Sequence, residues 1–474
     1  MKYKLFFILS ITGIFFLSAC SDFLKEQSQD EIIPQTTTDL RELLMGSGYP
    51  DNNEPTAFTY FLDDDVELYL AIAEFVEGSA STQYFPSYTW QSTFADVDGL
   101  GNPVGESAGS TAYYKIYERI KGCNAVLDYI DDAIGPQVEK DRVKAEALAV
   151  RALYYFKLVN LYGEPYNHNK EALGVPLKLT STMTEAFMPR NTVAEVYDTI
   201  VSNLKTASAL LEPLPIIRRS YHINQPAIHI LLSRIYLFME NYAACMEEAS
   251  KVMEKGGVLL NMTSGAGAAS YYLKYENPEV EWMFGGRPQA NQSPYIPAPE
   301  FRASFDQVND ARFRYGFSTI TSFSVTPLVL KYISSSTETL QAMRTAEAYL
   351  NRAEANAQLG NSAAALSDLN ELRRNRIVDY TDENISGKEA LITAIRDERR
   401  KEFCYEGFRW FDLRRYGMPA ITHRFQRESG EPVLVYTLAE KDPMYTLPFP
   451  NSLLLRNPAL IQNPSAFLGE RMGY

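Results

Sequence analysis

Apolar side chains recur at three- and four-residue spacing along much of this chain, which is the pattern of helices with one buried face. Residues 145–162 and 192–211 show it clearly, and Asn191 or Thr192 is placed to cap the second helix. The apolar positions of the two segments are Leu148, Ala152, Tyr155, Phe156 and Val159, then Val196, Ile200, Leu204, Ala207 and Leu211. The sequence therefore predicts a mostly α-helical protein.

Two further segments, 225–254 and 344–376, each have the pattern of two helices joined by a tight turn. The first helix of each carries a small residue and the second carries another twelve positions later, as in tetratricopeptide units. These residues are Ser233 and Cys245 in one segment and Ala353 and Ala365 in the other. Small side chains let helices approach closely, so we expect two helical hairpins, one of them turning at Gly360 and Asn361.

Long insertions interrupt this helical pattern at about 45–112, 256–340 and 420–474. They are rich in Gly, Pro, Ser, Asn and aromatic residues, which is typical of irregular loops on a rigid scaffold. No long low-complexity linker divides the chain. We therefore expect one domain over residues 41–474, with the insertions forming a loop-rich face.

The N-terminus has the pattern of a lipoprotein signal peptide. Lys2 and Lys4 precede an apolar run over residues 5–17, and thirteen helical residues span only about 20 Å, less than a bilayer core. The run ends in Leu-Ser-Ala-Cys, so Cys20 is the predicted lipid acceptor after removal of residues 1–19. Residues 20–40 would form a tether to the membrane. An ordinary secretory signal cleaved nearby is the alternative.

The composition argues against several kinds of partner and bound group. The formal net charge is −14 and no basic tract stands out, so a nucleic-acid partner is disfavoured. Three cysteines besides Cys20, at 123, 245 and 404, lack metal or disulfide spacing and are expected to be buried thiols. Four histidines show no zinc-binding spacing, so we expect no metal and no cofactor.

Residues 389–416 place charged groups among core positions. The acids are Glu398, Glu402, Glu406 and Asp412, and they alternate with Arg396, Arg399, Arg409, Arg414 and Arg415. A phosphate-binding surface is one interpretation of so many arginines beside Trp410. The alternation with acids favours a network of arginine–carboxylate pairs inside the body.

This stretch, RRKEFCYEGFRWFDLRR, resembles the C-terminal signature of the SusD/RagB family of nutrient-uptake lipoproteins. Other segments resemble family patterns in the same order along the chain. They are the Cys20 lipobox followed by SDFL, YYKIYERIKGCN at 113–124, AEALAVRALYYFKLVNLYGEPY at 145–166, PRNTVAEVYDTI at 189–200, NDARFR at 309–314, KY at 331–332 and YTLPFPNSLLLRNPALIQNP at 445–464.

The resemblance implies a SusD-like fold with about four degenerate tetratricopeptide helix pairs and a loop-rich second face carrying few short strands. It implies a surface-exposed outer-membrane protein without catalytic activity that binds oligosaccharide. The implied partner is a SusC-like TonB-dependent transporter, a β-barrel that faces the helical repeats while the loops hold the ligand.

Sugar sites need aromatic faces for the axial C–H groups and polar neighbours for the hydroxyls. Tyr84, Tyr88 and Trp90, with Asp64 in the same insertion, meet that description. A second candidate group is Trp282, Arg287, Asn291 and Tyr295. Aromatic residues are numerous, so core packing is the alternative for each. The Asp63–Asp65 run is expected to be a solvated turn, because it lacks the alternating oxygen ligands of a calcium loop.

Two other functions remain open from the residues alone. A surface glycoside hydrolase needs two carboxylates about 5–10 Å apart in a cleft, and no motif isolates such a pair. A peptide receptor of the same fold is the other alternative, and net charge does not separate peptides from sugars.

Replacement of the lipid acceptor tests the N-terminal interpretation. Cys20→Ala should move the protein from the membrane fraction to the soluble fraction, because acyl chains contribute about 0.8 kcal/mol per buried CH₂ to membrane binding. Fractionation and immunoblotting measure this, with Cys404→Ala as the matched control. Unchanged sedimentation of Cys20→Ala would contradict acylation.

Overall fold

A computed structural model describes residues 34–51, 54–70, 74–103, 108–218, 220–265, 274–285, 294–320, 326–329, 341–428 and 430–474. The signal segment and Cys20 lie outside these residues. Among the residues described, none of the helices combines the length and the apolar character needed to span a membrane.

The described helices follow the predicted periodicity. They are α1 (Thr37–Leu43), α2 (Ala80–Tyr88), α3 (Ala108–Tyr129), α4 (Gln137–Tyr162), α5 (Tyr166–Asn169), α6 (Val193–Leu211), α7 (Gln225–Phe238), α8 (Tyr242–Glu254), α9 (Pro299–Ala303), α10 (Ala311–Gly316), α11 (Thr345–Gln358), α12 (Ser362–Arg374), α13 (Lys388–Glu402), α14 (Arg409–Arg415) and α15 (Asn451–Arg456). Thr192 caps α6, and its hydroxyl and the Glu195 carboxylate each bind the other's backbone N–H.

Short antiparallel ribbons carry the strands of the loop-rich regions. The strands are β1 (Val66–Leu68), β2 (Val280–Phe284), β3 (Tyr295–Pro297), β4 (Phe317–Ile320), β5 (Thr326–Val329), β6 (Gln341–Arg344), β7 (Ile421–Phe425) and β8 (Leu434–Leu438). They pair as β1–β3, β2–β6, β4–β5 and β7–β8. In the first ribbon Leu68 lies opposite Tyr295.

The folded body begins earlier than the predicted end of the tether at residue 40. Thr36 caps α1 in a reciprocal pair with Asp39, and the Thr37 N–H donates to the Ile134 carbonyl at 3.0 Å. Leu40 is completely buried. Residues 36–40 therefore pack with the body, and a tether over 20–40 stays a prediction for the residues before them.

Both predicted hairpins are present, as α7–α8 and α11–α12, and α11 also packs on α8. The small residues Ser233, Cys245, Ala353 and Ala365 are fully buried. Asn351 joins the two hairpins. Its side-chain amide donates to the Ser233 hydroxyl at 2.9 Å, and its backbone carbonyl oxygen accepts from the Cys245 thiol at 3.5 Å. Gly360 turns the second hairpin with a φ of 84°, a value that suits glycine. The total of four pairs remains a prediction.

The arginine–carboxylate network predicted for residues 389–416 is present and buried. Glu402, on α13, accepts from Arg344 at 2.6 Å and from Arg312 at 3.1 Å, and Arg376 donates to both of its oxygens at 3.0 Å. Glu279 accepts from two of the same arginines. The network thereby ties α13 to β6, to the start of α10, to the turn after α12 and to the start of β2.

The Glu402 carboxylate of this network makes the free energy of unfolding depend on pH. Burial by itself would raise the pKa of Glu402, but Arg376, Arg344 and Arg312 outweigh it and hold that pKa well below its ordinary value. The stabilisation from Glu402 is therefore present above the unfolded-state pKa of about 4.3 and is lost as the pH falls.

Two other buried arginines bind backbone carbonyls. Arg414 donates to the carbonyls of Asn160 and Gly163 and, at 2.6 Å, to that of Tyr445. Arg190 donates to the Tyr162 carbonyl at 2.8 Å and to the Ile461 carbonyl at 3.0 Å. Burial lowers the pKa of each arginine to about 10. These guanidinium groups satisfy the last carbonyls of α4 and join them to the C-terminal segment. Arg414 thus departs from the predicted carboxylate pairing.

The three cysteines at 123, 245 and 404 are buried, as predicted.

Neutralising the centre of the network should destabilise the fold. We expect Glu402→Gln to lower the free energy of unfolding by about 3–5 kcal/mol, because it leaves three arginines around an uncharged group. Glu371→Gln is the control, since Glu371 pairs with Arg374 at the surface and should contribute less than about 1 kcal/mol. Urea unfolding measures both, and equal losses would contradict a central role for Glu402.

Candidate ligand-binding face

Two ribbons, β1–β3 and β7–β8, meet beside α2 and form what we call the ribbon corner. Their strands alternate between buried and open positions, as a half-buried strand does. His423 and Phe425 of β7 face inward, whereas Thr422 and Arg424 face outward. The corner thus has an aromatic interior and a polar outer surface.

The interior contains most of the first aromatic group predicted from the sequence. Tyr88 and Trp90 are 0% and 1% exposed, and both rings stack on His423. The indole N–H of Trp90 donates to the Leu62 carbonyl at 2.9 Å, and the Tyr88 hydroxyl accepts from the Leu68 N–H at 3.0 Å. The expectation that Tyr88 and Trp90 stand in an exposed loop is wrong, because they end a helix and fill the core.

The second predicted group is divided. Tyr295 is buried in the ribbon corner, with its ring centroid 5.1 Å from that of Tyr88. Trp282 is buried on β2, where it stacks on Phe284 and donates to the Tyr221 carbonyl at 2.9 Å. These two rings therefore serve different parts of the core and face no common solvent-open site. Arg287 and Asn291 lie outside the described residues.

Three rings on segments of the corner are partly open to solvent: Tyr69, Phe75 and Tyr84. Tyr84, the remaining aromatic residue of the first group, lies on α2 with one face stacked on Phe61 at 4.0 Å. Its burial is incomplete and raises the pKa of its hydroxyl. Tyr69 follows β1, and its N–H donates to the Pro294 carbonyl at 2.8 Å.

Charged groups lie on the same segments of the corner. Arg424 of β7 pairs with Glu67 of β1, and the Arg424 side chain is 56% exposed. Arg427 lies over the Phe75 ring, with its guanidinium carbon 4.6 Å from the centroid. We name the set Glu67, Tyr69, Phe75, Tyr84, Arg424 and Arg427 the open face. It offers aromatic surface together with charged hydrogen-bonding groups.

The acidic run at 63–65 is a buried turn and not the solvated one that was expected. Asp64 accepts two hydrogen bonds from Arg409, at 2.6 and 2.8 Å, and Asp65 accepts one from Arg400 at 2.7 Å. Burial opposes ionisation of Asp64, but Arg409 and Arg400 hold its pKa at about 2. Burial, with the charges of Asp65 and Asp64, raises the pKa of Asp63 well above its ordinary value.

These three acids bring carboxylate oxygens within 4.8 Å of one another. The backbone oxygens of the same turn already accept hydrogen bonds, from His423, Arg400 and Tyr405. Calcium needs six to eight oxygen ligands, which this turn does not supply. The arrangement of these oxygens suits binding of the two arginine side chains better than binding of a metal ion.

Other buried acids are also paired with arginines. Among the residues described, Glu354 binds Arg415 through two hydrogen bonds of 2.8 Å, and Glu398 pairs with Arg312 and Arg373. Burial opposes ionisation of both, yet the arginines lower the pKa of each acid to about 2. Such groups stay ionised and are poor proton donors to a glycosidic oxygen.

One interior cavity does contain two acids, Glu54 and Glu406, near Lys157 and Arg234. Its volume is about 60 Å³, which holds a few waters at roughly 10–15 Å³ each and is too small for a sugar chain. Glu54 is paired with Lys157 at 3.2 Å. A two-acid hydrolase cleft is therefore not found at this cavity.

Two profiles of known protein families match parts of this chain. The profile of the SusD family matches residues 306–465, and a profile described as starch-binding and associating with the outer membrane matches residues 68–237. Both profiles are of SusD-type families, and the predicted resemblance to the SusD/RagB family is confirmed. The arginine-rich signature at 399–415 lies within the first match.

Curated relatives agree with this assignment. SusD-like protein P25 of Formosa agariphila is 22% identical over 87% of this chain and 89% of its own length. SusD-like protein P38 of the same organism is 23% identical over 56% of this chain, and the match spans just under two thirds of P38, 65%.

Solved structures confirm the predicted SusD-like, mostly α-helical fold. A SusD-like carbohydrate-binding protein of Bacteroides vulgatus has a TM-score of 0.69 and 22% identity, covering 90% of this chain and 97% of that one. A SusD superfamily protein of Bacteroides thetaiotaomicron has a TM-score of 0.71 and 22% identity, covering 90% and 100%. SusD family proteins bind carbohydrate without catalysis, so the expectation that this chain is not an enzyme is confirmed.

Sequence reasoning missed most of the open face. A signal was present in Val66-Glu-Leu-Tyr-Leu70, where apolar and other residues alternate with the period of a half-buried strand. That alternation places Glu67 and Tyr69 on one side. Arg424 comes from β7, more than 350 positions away, and its pairing with Glu67 required the fold.

The buried position of Trp90 changes what its replacement should do. Trp90→Ala should lower the free energy of unfolding by about 3–5 kcal/mol, because it removes a large core side chain and leaves a cavity. Tyr84→Ala should cost less, because that ring is partly open. Chemical denaturation with fluorescence and circular dichroism measures both, and a Trp90→Ala protein as stable as wild type would contradict this placement.

Proposed function

We propose that this SusD/RagB protein is a non-catalytic surface receptor that binds oligosaccharide and delivers it to a SusC-like TonB-dependent transporter. The family is one of carbohydrate-binding proteins associated with the outer membrane. The lipobox at Cys20 supports attachment to that membrane through acyl chains.

The open face is the observation that carries the ligand proposal. Tyr69, Phe75 and Tyr84 are partly exposed rings on segments of the ribbon corner, and Glu67 and Arg424 form a charged pair between two of its strands. Ring faces attract the C–H groups of a pyranose and exclude water, while carboxylate and guanidinium groups bind hydroxyls. Phe61 packs on the Tyr84 ring, and Phe85 and Phe425 pack on the Phe75 ring, which keeps the entropy cost of binding low at these two rings.

The buried acids favour a receptor over a hydrolase. A glycosidase acid must exchange its proton with substrate, whereas Glu354 and Glu398 are locked in arginine pairs with pKa values of about 2. These pairs make the acids part of the scaffold. Their role is to hold the helices that support the open face.

The transporter partnership rests on family resemblance and on the layout of the fold. Helical hairpins and the ribbon corner are different regions of the body, so one can face a barrel while the other holds ligand. Co-purification of the full lipoprotein with a SusC-like barrel from solubilised outer membranes would support this arrangement. Recovery of the lipoprotein without such a barrel would contradict it.

Ring removal on the open face tests ligand binding. Screening the full chain in detergent against oligosaccharides and peptides identifies a ligand, and calorimetry then compares variants. Tyr69→Ala and Tyr84→Ala should each weaken oligosaccharide binding about tenfold, since one ring contact contributes up to about 1.5 kcal/mol.

Tyr129→Ala is the matched control for these two variants, because Tyr129 is also partly exposed but lies at the end of α3. It should bind as wild type does. Equal affinities for all four proteins would remove the open face from the site, and turnover of the sugar that follows the protein through purification would contradict a receptor.

A further inference from the structure

A cleft lies where α1, the first three turns of α4 and the segment before α7 meet. Its volume is about 250 Å³, just below the roughly 300–1,000 Å³ of pockets that hold drug-sized ligands. We name it the basic cleft after Arg41, Arg142 and His222, which line it. Its described lining shares no residue with the open face, so the basic cleft is a separate place with room for about one sugar unit.

Two of these three basic groups are paired with acids that also line the cleft. Arg41 of α1 forms an ion pair with Glu139 of α4. His222 lies with its Nδ1 atom 2.8 Å from the carboxylate of Glu146, which is buried and also accepts from the Tyr49 hydroxyl at 3.0 Å. Each acid that lines the cleft is thereby matched by one basic group.

Arg142 is the third basic group, and it is half-buried. It lies three residues after Glu139 and four before Glu146, so the three side chains share one face of α4. Among the residues that the structure describes, Arg142 has neither a hydrogen-bond nor an ion-pair partner. Its guanidinium donors therefore stay available, and they suit the two oxygens of a carboxylate.

His222 can add a second donor. Its hydrogen bond to Glu146 raises its pKa, against the opposing effects of burial and of Arg41 and Arg142. The Nε2 atom of His222 has no hydrogen-bond partner within the described part of the chain, and in the protonated ring it carries an N–H. With His222 protonated, the basic groups that line the cleft outnumber the acids by one, which favours a ligand with one negative charge.

The cleft also has an apolar part. Ile217 lines it and is 47% exposed, so a ligand that covers this side chain gains from the removal of apolar surface from water. A bare inorganic anion has no apolar surface to place there. A sugar acid carries C–H groups and a carboxylate within one unit, and so it matches both parts of the cleft.

We propose that the basic cleft is a subsite for a carboxylated sugar unit, a uronic acid, with the carboxylate held by Arg142 and His222 and the C–H groups placed against Ile217. The choice of a sugar rests on the proposed function, whereas the negative charge of the ligand follows from the cleft itself. The subsite would give the receptor a preference for acidic over neutral glycans.

Calorimetry of the full chain in detergent with D-glucuronate and D-glucose tests this preference. The two sugars differ where glucuronate carries a carboxylate and glucose a hydroxymethyl group. Glucuronate should bind about tenfold more tightly or better, because its carboxylate accepts hydrogen bonds from charged donors. Equal affinities for the two sugars, or no binding of glucuronate, would overturn the subsite.

Arg142→Gln tests the residue that carries the proposal. It should weaken glucuronate binding about tenfold or more and leave the urea unfolding curve unchanged, because Arg142 has no partner to lose within the described residues. Lys144→Gln is the matched control, since it removes one positive charge from the same helix at a residue that pairs with Asp131 outside the cleft. It should bind glucuronate as wild type does. An Arg142→Gln protein with wild-type affinity for glucuronate would overturn the subsite.

Acetate separates a sugar acid from a carboxylate alone. It carries the same charge without the sugar, so it should bind about tenfold more weakly than glucuronate or worse. Acetate binding as tight as that of glucuronate would overturn the assignment to a sugar.

Failure of the proposed function gives a different result. If no neutral oligosaccharide binds, the open face is contradicted, and the effect of Arg142→Gln on glucuronate still decides the subsite. If neutral oligosaccharides bind and glucuronate does not, the basic cleft alone is overturned.

Discussion

The ionised carboxylate of Glu402 is the interaction on which the helical body most depends. A carboxylate without water costs several kcal/mol unless cations and hydrogen bonds replace its hydration, and here three guanidinium groups do so. Those arginines come from three separate segments, each of which must be in place for the charge to be tolerated. The charge of Glu402 thereby fixes how these segments of the last third of the chain pack together. The packed segments support Arg400 and Arg409, which pair with the acids of the 63–65 turn at the ribbon corner.

Arginine has two physical roles in this fold. Where it meets carboxylates, as at Glu402 and Glu354, it neutralises buried charge and fixes orientation through two parallel hydrogen bonds. Where it meets only carbonyls, as at Arg190 and Arg414, it completes the end of a long helix whose last carbonyls carry partial negative charge. In the second role the charged guanidinium group is buried among carbonyl oxygens, and this burial lowers the pKa of both arginines.

Much of the fold could be predicted from the sequence, because helical periodicity is local. The cap at Thr192, the hairpin turn at Gly360 and the paired charges of residues 389–416 all depend on neighbours within a few turns of helix or on simple charge balance. The open face, the candidate site, could not be predicted in this way. Trp90 and Tyr84 stand six positions apart in one insertion, and only the packing of β7 and the 62–65 turn on α2 decides that one ring is covered and the other is partly open.

Arg190 and Arg414 also have a consequence for biosynthesis. The carbonyls that end α4 belong to residues 160–163, yet the groups that share their arginines belong to residues 445–463. During synthesis the end of α4 can therefore reach its full set of contacts only after residues 445–463 have been made.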